Sequence, residues 1–271
     1  MERWMIVTGA TGGVGKAFCS LLADKGFNLL ITDREISSIS ELASGIEKQY
    51  DKSVETFVCD MTNETVRNDF YQYIKNTDRH YHGLINVAGI DSEGQFSTKD
   101  YEKINMIMQL NMISTTENIH KILPYRDPDT PFLIINVSSL AAFQPMPYKA
   151  MYSASKRFIV QLTLGIREEL KREGVLMSVL CPGGMPTNPL TIQRIEKQGF
   201  FGKITTLDTT KVVTITYKKA MSGKAIIIPG FFNKLLFFLT KLIPETVIAR
   251  MLQKKWSKVL YMRCGSLSPK D

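Results

Sequence analysis

Tyr152 and Lys156 stand four residues apart in Y-S-A-S-K, just after a run dense in Pro and small residues and at the head of what reads as a long helix. Positions i and i+4 share a helix face, so a helix beginning near Tyr152 sets phenol and amine side by side. A neighbouring cation favours the phenolate and lowers its pKa from about 10, which opens proton exchange near neutral pH. The same spacing also describes an apolar body carrying a solvated charge, so the rest of the chain must say what the pair faces.

The first third supplies an anion cradle. The apolar run W-M-I-V, residues 4 to 7, ends in T-G-A-T-G-G-V-G, and helical apolar spacing follows at Phe18, Leu21 and Leu22 up to Gly26. Strand, glycine turn and helix in that order let the backbone at Gly9, Gly13 and Gly15 approach a pyrophosphate, with its charge on the helix N-terminus. The next apolar run, N-L-L-I-T, ends at Asp33, about 20 residues beyond the glycines, where a carboxylate can accept from adenosine ribose hydroxyls. Asp33 repels a 2′-phosphate and favours NAD, whereas Arg34 beside it can bind that phosphate and permits NADP.

The alternation continues with a helix over 41–50, a strand over 54–58 ending at Cys59-Asp60, a helix over 62–74 and a strand over 83–87 ending at Ala88-Gly89. Such regularity predicts right-handed crossovers and a parallel sheet covered on both faces, with ligands at the carboxyl ends of the strands. Asp33, Asp60 and residues 86 to 89 all fall at such ends.

Taken together, Thr8, Gly9, Gly13 and Gly15 (T-G-x-x-x-G-x-G), Asp60, N-x-A-G (Asn86, Ala88, Gly89), Asn111, I-N-V-S-S to Ser139, Tyr152 with Lys156, and P-G-x-x-x-T (Pro182, Gly183, Thr187) resemble the classical short-chain dehydrogenase/reductase family, in the family's order and over roughly the first two thirds of the chain. The resemblance implies an α/β fold, a doubly wound (Rossmann), mostly parallel sheet with helices on both faces. It implies NAD or NADP as cofactor, held by Gly9, Thr11, Gly13, Val14, Gly15, Asp33, Arg34, Asp60, Met61, Asn86, Ala88, Gly89, Tyr152, Lys156, Pro182, Gly183 and Thr187. In the implied chemistry Tyr152 is the general acid in reduction and the base in oxidation. Lys156 holds the nicotinamide ribose and lowers the phenol's pKa, Ser139 hydrogen-bonds the carbonyl oxygen, and Asn111 holds a water linking Lys156 to solvent.

Ser138 and Ser139 face opposite sides of a strand, and the family's spacing to the tyrosine selects Ser139. Asn105 competes with Asn111 for the helix position. One departure is Val87, where the family has a second Asn that supports the sheet; hydrogen bonding there is in doubt. The substrate implied is an apolar carbonyl or alcohol (ketone, steroid-like or acyl-derived), and the assembly a homodimer or homotetramer. A non-catalytic dinucleotide-binding sensor or interaction protein is the alternative, set against the fact that all four catalytic positions are filled.

Composition agrees with an enzyme of this kind. The 271 residues carry 44% hydrophobic and 22% charged side chains, ordinary globular values. Cys19, Cys59, Cys181 and Cys264 show no C-x-x-C, and His80, His82 and His120 have no zinc-ligand spacing, so a reducing cytoplasm and no metal are expected. No signal-peptide pattern opens the chain.

The net charge of +8 is not interleaved with aromatic residues as nucleic-acid binding would ask; it gathers after residue 230. The expected organisation is a catalytic Rossmann domain over 1–230, with a substrate loop at 188–220 whose Phe200, with Met146, Tyr148 and Met185, lines an apolar pocket or packs as core. A helical extension follows over 231–271. Phe231, Leu235, Phe238 and Leu242 make its first apolar stripe, and a second helix runs over 246–260. Apolar helices with cationic stripes pack over the substrate pocket, form a subunit interface, or rest peripherally on an anionic membrane surface through 231–263; packing and interface are the expectation.

Overall fold

The computed structural model describes residues 2–186 and 205–263, with backbone alone at 255 and 258–263. Seven parallel strands form one sheet in the order β3-β2-β1-β4-β5-β6-β7. They are β1 (Trp4–Thr8), β2 (Asn28–Asp33), β3 (Val54–Val58), β4 (Gly83–Asn86), β5 (Phe132–Val137), β6 (Val175–Leu180) and a short β7 (Ile226–Ile227). The order reverses between β1 and β4, so the crevice above their carboxyl ends is the switch point where such sheets take ligands.

Alternation along the strands fixes both faces. Met5, Val7, Leu29, Ile31, Leu133 and Ile135 pack against Phe18 and Leu22 of α1 (Gly13–Asp24) and Val212 and Val213 of α7 (Thr209–Met221). Their neighbours in sequence, Trp4, Ile6, Leu30, Leu84, Phe132 and Ile134, turn to the other face. There they meet Phe70 and Ile74 of α3 (Glu64–Asn76) and Ile119 and Ile122 of α5 (Ser114–Ile122). Strands buried on both faces in this way require helices on both sides.

Several boundaries move for local reasons. Helix α2 (Ile36–Tyr50) begins five residues before the expected 41, and Ile39, Ala43 and Ile46 bury its inner face at helical spacing. Helix α3 begins two residues late because Thr62 is held in a turn by Asp60, and Asn63 caps it by accepting from Val66 N at 3.2 Å. Between α4 (Tyr101–Ile107) and α5 the chain widens into a π-helix, Met108–Ile113, a form that favours functional positions. Helix α6 (Ala150–Leu170) follows β5 through a short 3₁₀ turn at Leu140–Phe143.

The extension forms α8 (Phe231–Leu242) and α9 (Glu245–Arg263), joined at Ile243-Pro244. Asn233 is buried and Phe237 packs edge-on to Phe143 with ring centroids 4.5 Å apart. The stripe of Phe231, Leu235, Phe238 and Leu242, expected to pack over the pocket or form a subunit interface, does not pack on the described part of the chain, with Phe231 74% and Leu242 79% exposed. Inward contact belongs to the face of Asn233 and Phe237, because α8 is apolar nearly all round and its spacing does not choose a side.

Candidate active site

The nucleotide end is built from close backbone approach. Gly9 has φ +66°, and a Cβ there would stand 2.6 Å from Ala88 N, so the turn after β1 lies against the strand end of β4. At Gly15 a Cβ would stand 2.1 Å from the Gly9 carbonyl oxygen, so α1 and the turn could not meet with any side chain between them. Helix α1 starts at Gly13 with no side-chain cap and no acidic residue in its first turn. Its first N–H groups, including that of Val14, whose side chain lies in the core, are left for an anion.

Asp33 is already oriented beside them. One of its oxygens accepts from Thr11 N at 2.9 Å and Thr11 Oγ1 at 2.7 Å, the other from Arg34 N at 2.8 Å. The Arg34 side chain is exposed. Asp60 holds Thr62, and buried Met61 offers its carbonyl to buried Arg67 at 2.9 Å. Uncapped helix start, glycine contacts and a preset carboxylate fit the pyrophosphate and ribose of a dinucleotide.

The reacting end converges above β4 and β5. Ser138 donates to the Lys156 carbonyl at 2.7 Å, which ties β5 to α6 and leaves Ser139 for the cleft. Ser139 Oγ accepts from Ala141 N at 3.1 Å and lies near enough to the Tyr152 hydroxyl to favour the phenolate. Lys156 is buried and donates from Nζ to the Val137 carbonyl at 3.0 Å. Gly89 lies beneath both Lys156 and Asn111: a Cβ there would be 3.0 Å from Lys156 Nζ and 3.2 Å from Asn111 Oδ1. Tyr152, Lys156, Ser139, Asn111 and Gly89 are thereby brought together.

Asn111, not the half-buried Asn105, takes the inner position in the π-helix. Its Oδ1 accepts from Ile90 N at 2.9 Å, and its Nδ2 donates to Ile90 O and to Ser155 Oγ, each at 3.0 Å. Both amide hydrogens are committed to pinning residue 90 to α6. The water expected at this residue could use only the oxygen's remaining lone pair.

The electrostatics differ from the sequence expectation. Burial pushes the Tyr152 phenol up to about 12, the Asp91 carboxylate adds to the rise, and the Ser139 hydroxyl offsets part of it. Burial likewise pushes the Lys156 ammonium down to about 8, with Cys181 and Asp91 opposing. Lys156, whose Nζ stands 5.9 Å from the Tyr152 ring centroid, is not among the groups that set this shift, so the lowering expected from it is not seen. At neutral pH the pair is a protonated phenol beside a largely protonated amine.

Asn86 also departs from its expected place. Its Nδ2 donates to Asn136 Oδ1 at 2.8 Å and its Oδ1 accepts from Asn118 Nδ2 at 3.0 Å. Asn136 continues to Thr163 Oγ1 at 2.9 Å, and Asn118 receives the Tyr71 hydroxyl at 2.9 Å. This polar network joins β4, β5, α3, α5 and α6 and commits the Asn86 side chain to the sheet. The doubt at Val87 resolves in the same way: its side chain packs on the core, and the neighbouring asparagines support the sheet.

Cys181 and Pro182 are buried, and Leu140 N donates to the Pro182 carbonyl at 2.9 Å. A Cβ on Gly183 would meet Asn233 Oδ1 at 2.7 Å, so this loop rests on the first turn of α8. Met185 packs on the core. Thr187 and Phe200, and the greater part of the expected substrate loop, lie outside the described residues.

Sequence reading missed one cluster. Lys149, three residues before Tyr152, is buried and pairs with Asp91 at 2.5 Å and Glu93 at 2.9 Å. Its ammonium also lies 5.8 Å from the Tyr152 ring centroid and 5.5 Å from that of Trp256 on α9. The i, i+3 offset from Tyr152 was a signal for Lys149, but nothing local pointed to acids some sixty residues earlier.

A family model described as short chain dehydrogenase matches residues 3–198. The chain belongs to the short chain dehydrogenase family. Among its relatives an uncharacterized oxidoreductase of Staphylococcus saprophyticus is 28% identical over 186 residues, 69% of this chain and 80% of that protein. The 17-beta-hydroxysteroid dehydrogenase type 3 of Mus musculus is 30% identical over 199 residues, 70% of this chain and 62% of the relative, so this chain spans less than two thirds of that enzyme's length. A solved 7beta-hydroxysteroid dehydrogenase structure superposes with TM-score 0.85 at 23% identity, covering 93% of this chain and 96% of the other; it shares the fold. Membership makes this short-chain dehydrogenase an oxidoreductase working on CH–OH and carbonyl carbons with a nicotinamide dinucleotide.

Proposed function

We propose that this dehydrogenase works at neutral pH as a reductase of apolar ketones, with Tyr152 as proton donor. The observation that carries the reading is the convergence of Tyr152, Ser139, Lys156 and Asn111 beside the glycine cradle, with a phenol held in its protonated form. The bound dinucleotide supplies the hydride. Tyr152 donates its proton to the carbonyl oxygen, and the Ser139 hydroxyl hydrogen-bonds that oxygen as its negative charge grows. Preorganised donors of this kind contribute about 3–4 kcal/mol. Lys156 holds the ribose and stands ready to return a proton, while Asn111 fixes the wall beside it. Val14, Gly15 and Gly9 present backbone to the pyrophosphate, and Thr11-bound Asp33 receives the adenosine ribose, which favours NAD over NADP.

An apolar substrate is supported by Trp256, 5.5 Å from the Lys149 ammonium that flanks Tyr152, and by similarity to a hydroxysteroid dehydrogenase. A non-catalytic sensor is not favoured by the relatives, which include a hydroxysteroid dehydrogenase. The test follows oxidation of NADH and NADPH by the purified chain against aliphatic ketones, steroid ketones and sugars. Turnover confined to the apolar ketones, faster with NADH, is expected; turnover of sugars alone, or of nothing, sinks the reading.

A further inference from the structure

Helices α8 and α9 present a face that nothing in the described structure covers. Phe231, Leu235, Phe238, Leu242, Val247 and Met251 are all exposed, Phe238 by 62% and Met251 by 60%. Contiguous apolar surface of this kind marks an interaction site.

The charge beside it says what the partner carries. Residues 231–263 hold seven basic side chains against the single acidic Glu245, six of the chain's eight net positive charges; the remaining residues are nearly balanced. Lys241, Arg250 and Lys254 are exposed. Lys219 near the end of α7 has Lys234 of α8 and Lys224 beside it, and burial, with their like charges, disfavours its own. At the elbow between α8 and α9 a groove of about 510 Å³ is lined by Leu242, Ile243 and Pro244 together with Lys241, Arg157 and Glu245, the last two 4.0 Å apart.

We propose that the outer face of α8 and α9 docks on a bilayer surface rich in anionic phospholipid, with the apolar side chains among the upper acyl chains and the lysines and arginines at the phosphates. No helix among the described residues is long and apolar enough to cross a membrane, and α8, about 18 Å long at 1.5 Å per residue, lies in the interface plane. A second copy fits this face less well, because a two-fold interface would set the same cationic surface against itself. Docking places the lipid beside the reacting groups: α8 is anchored by Asn233 under Gly183 and by Phe237 on Phe143, and Trp256 of α9 reaches Lys149.

The test is co-sedimentation of the full chain with phosphatidylcholine vesicles, with and without phosphatidylglycerol, at low and high salt. Anionic vesicles are expected to bind roughly tenfold or more tightly than neutral ones, with the advantage lost in high salt. Phe238→Glu with Leu242→Glu should reduce binding roughly tenfold or more while Tm and dinucleotide affinity stay unchanged. Equal binding to both vesicles, no binding to either, or a double variant that binds like the parent overturns the proposal. So does a lipid-free dimer in sedimentation equilibrium that the same variant dissociates, since a second copy would then cover the face. None of these readouts depends on turnover, so failure here leaves the ketone reductase reading intact, and the reverse.

Discussion

The two halves of the crevice are made in opposite ways. On the β1–β2 side the site is a set of absences: no Cβ at Gly9 or Gly15, no cap and no acid at the start of α1. On the β4–β5 side it is a set of side chains, Ser139, Tyr152 and Lys156, held by others behind them. A site made by close backbone approach is broken by adding atoms, and one made by side chains is broken by removing them. Substitutions in the two halves should therefore separate binding from turnover.

The largest effect sharpens that division. Tyr152→Phe removes the proton donor and no packing, so kcat should fall by about 10²–10⁴ while dinucleotide affinity and Tm hold, as steady-state kinetics and a fluorescence titration would show. Gly15→Val should do the reverse. Its new side chain meets the Gly9 carbonyl, the turn must shift, and dinucleotide affinity should weaken by roughly a hundredfold with a lowered Tm. A Gly15→Val protein that binds dinucleotide normally would mean that the cradle is not where the nucleotide sits.

A smaller effect reaches the catalytic half from behind. Asn136 links Asn86 to Thr163, so Asn136→Leu leaves the buried Asn86 amide without its acceptor at about 1–3 kcal/mol. Denaturant unfolding should show the loss of the one unpaired Asn86 amide, since Thr163 still donates to the Ile159 carbonyl at 2.6 Å, and because α6 carries Tyr152, kcat should fall more than dinucleotide affinity. Equal losses in the two would make the network a general staple of the fold.

Legibility in the sequence followed the same division. Glycines, strand ends and the i, i+4 pair are local patterns, so the cradle and the Tyr152–Lys156 pair were readable, and the regular alternation of strand and helix implied a sheet covered on both faces. The Asn86–Asn136–Asn118 network and the Lys149–Asp91–Glu93 cluster join residues 32 to 58 positions apart, and no spacing rule predicts them. Burial was equally hidden: an ammonium four residues from a phenol reads as a pKa-lowering neighbour, yet desolvation of both reverses the result. In α8 the stripe was visible but its direction was not, because a helix apolar on nearly every side carries no inward signal.

The smallest effect is also the one that tests the electrostatic reading most directly. With the phenol near 12 and the ammonium near 8, the group that limits reduction on the alkaline side is Lys156, not Tyr152. Reduction should be level through neutral pH and fall through about pH 8, losing about tenfold per further pH unit. Stability should move the other way over that range. Between 8 and the ordinary lysine value of 10.5 the unfolded chain holds the proton that folded Lys156 has released, so this group's contribution to stability rises with pH. Tyr152, whose phenol keeps its proton after the unfolded one has lost it at about 10, contributes a fall that begins only above that value. An activity loss between pH 8 and 10 without a drop in Tm attributable to these groups is therefore expected. If activity instead holds level to pH 10, the amine's charge is not needed in the reducing direction, and the catalytic half rests on Tyr152 and Ser139 alone.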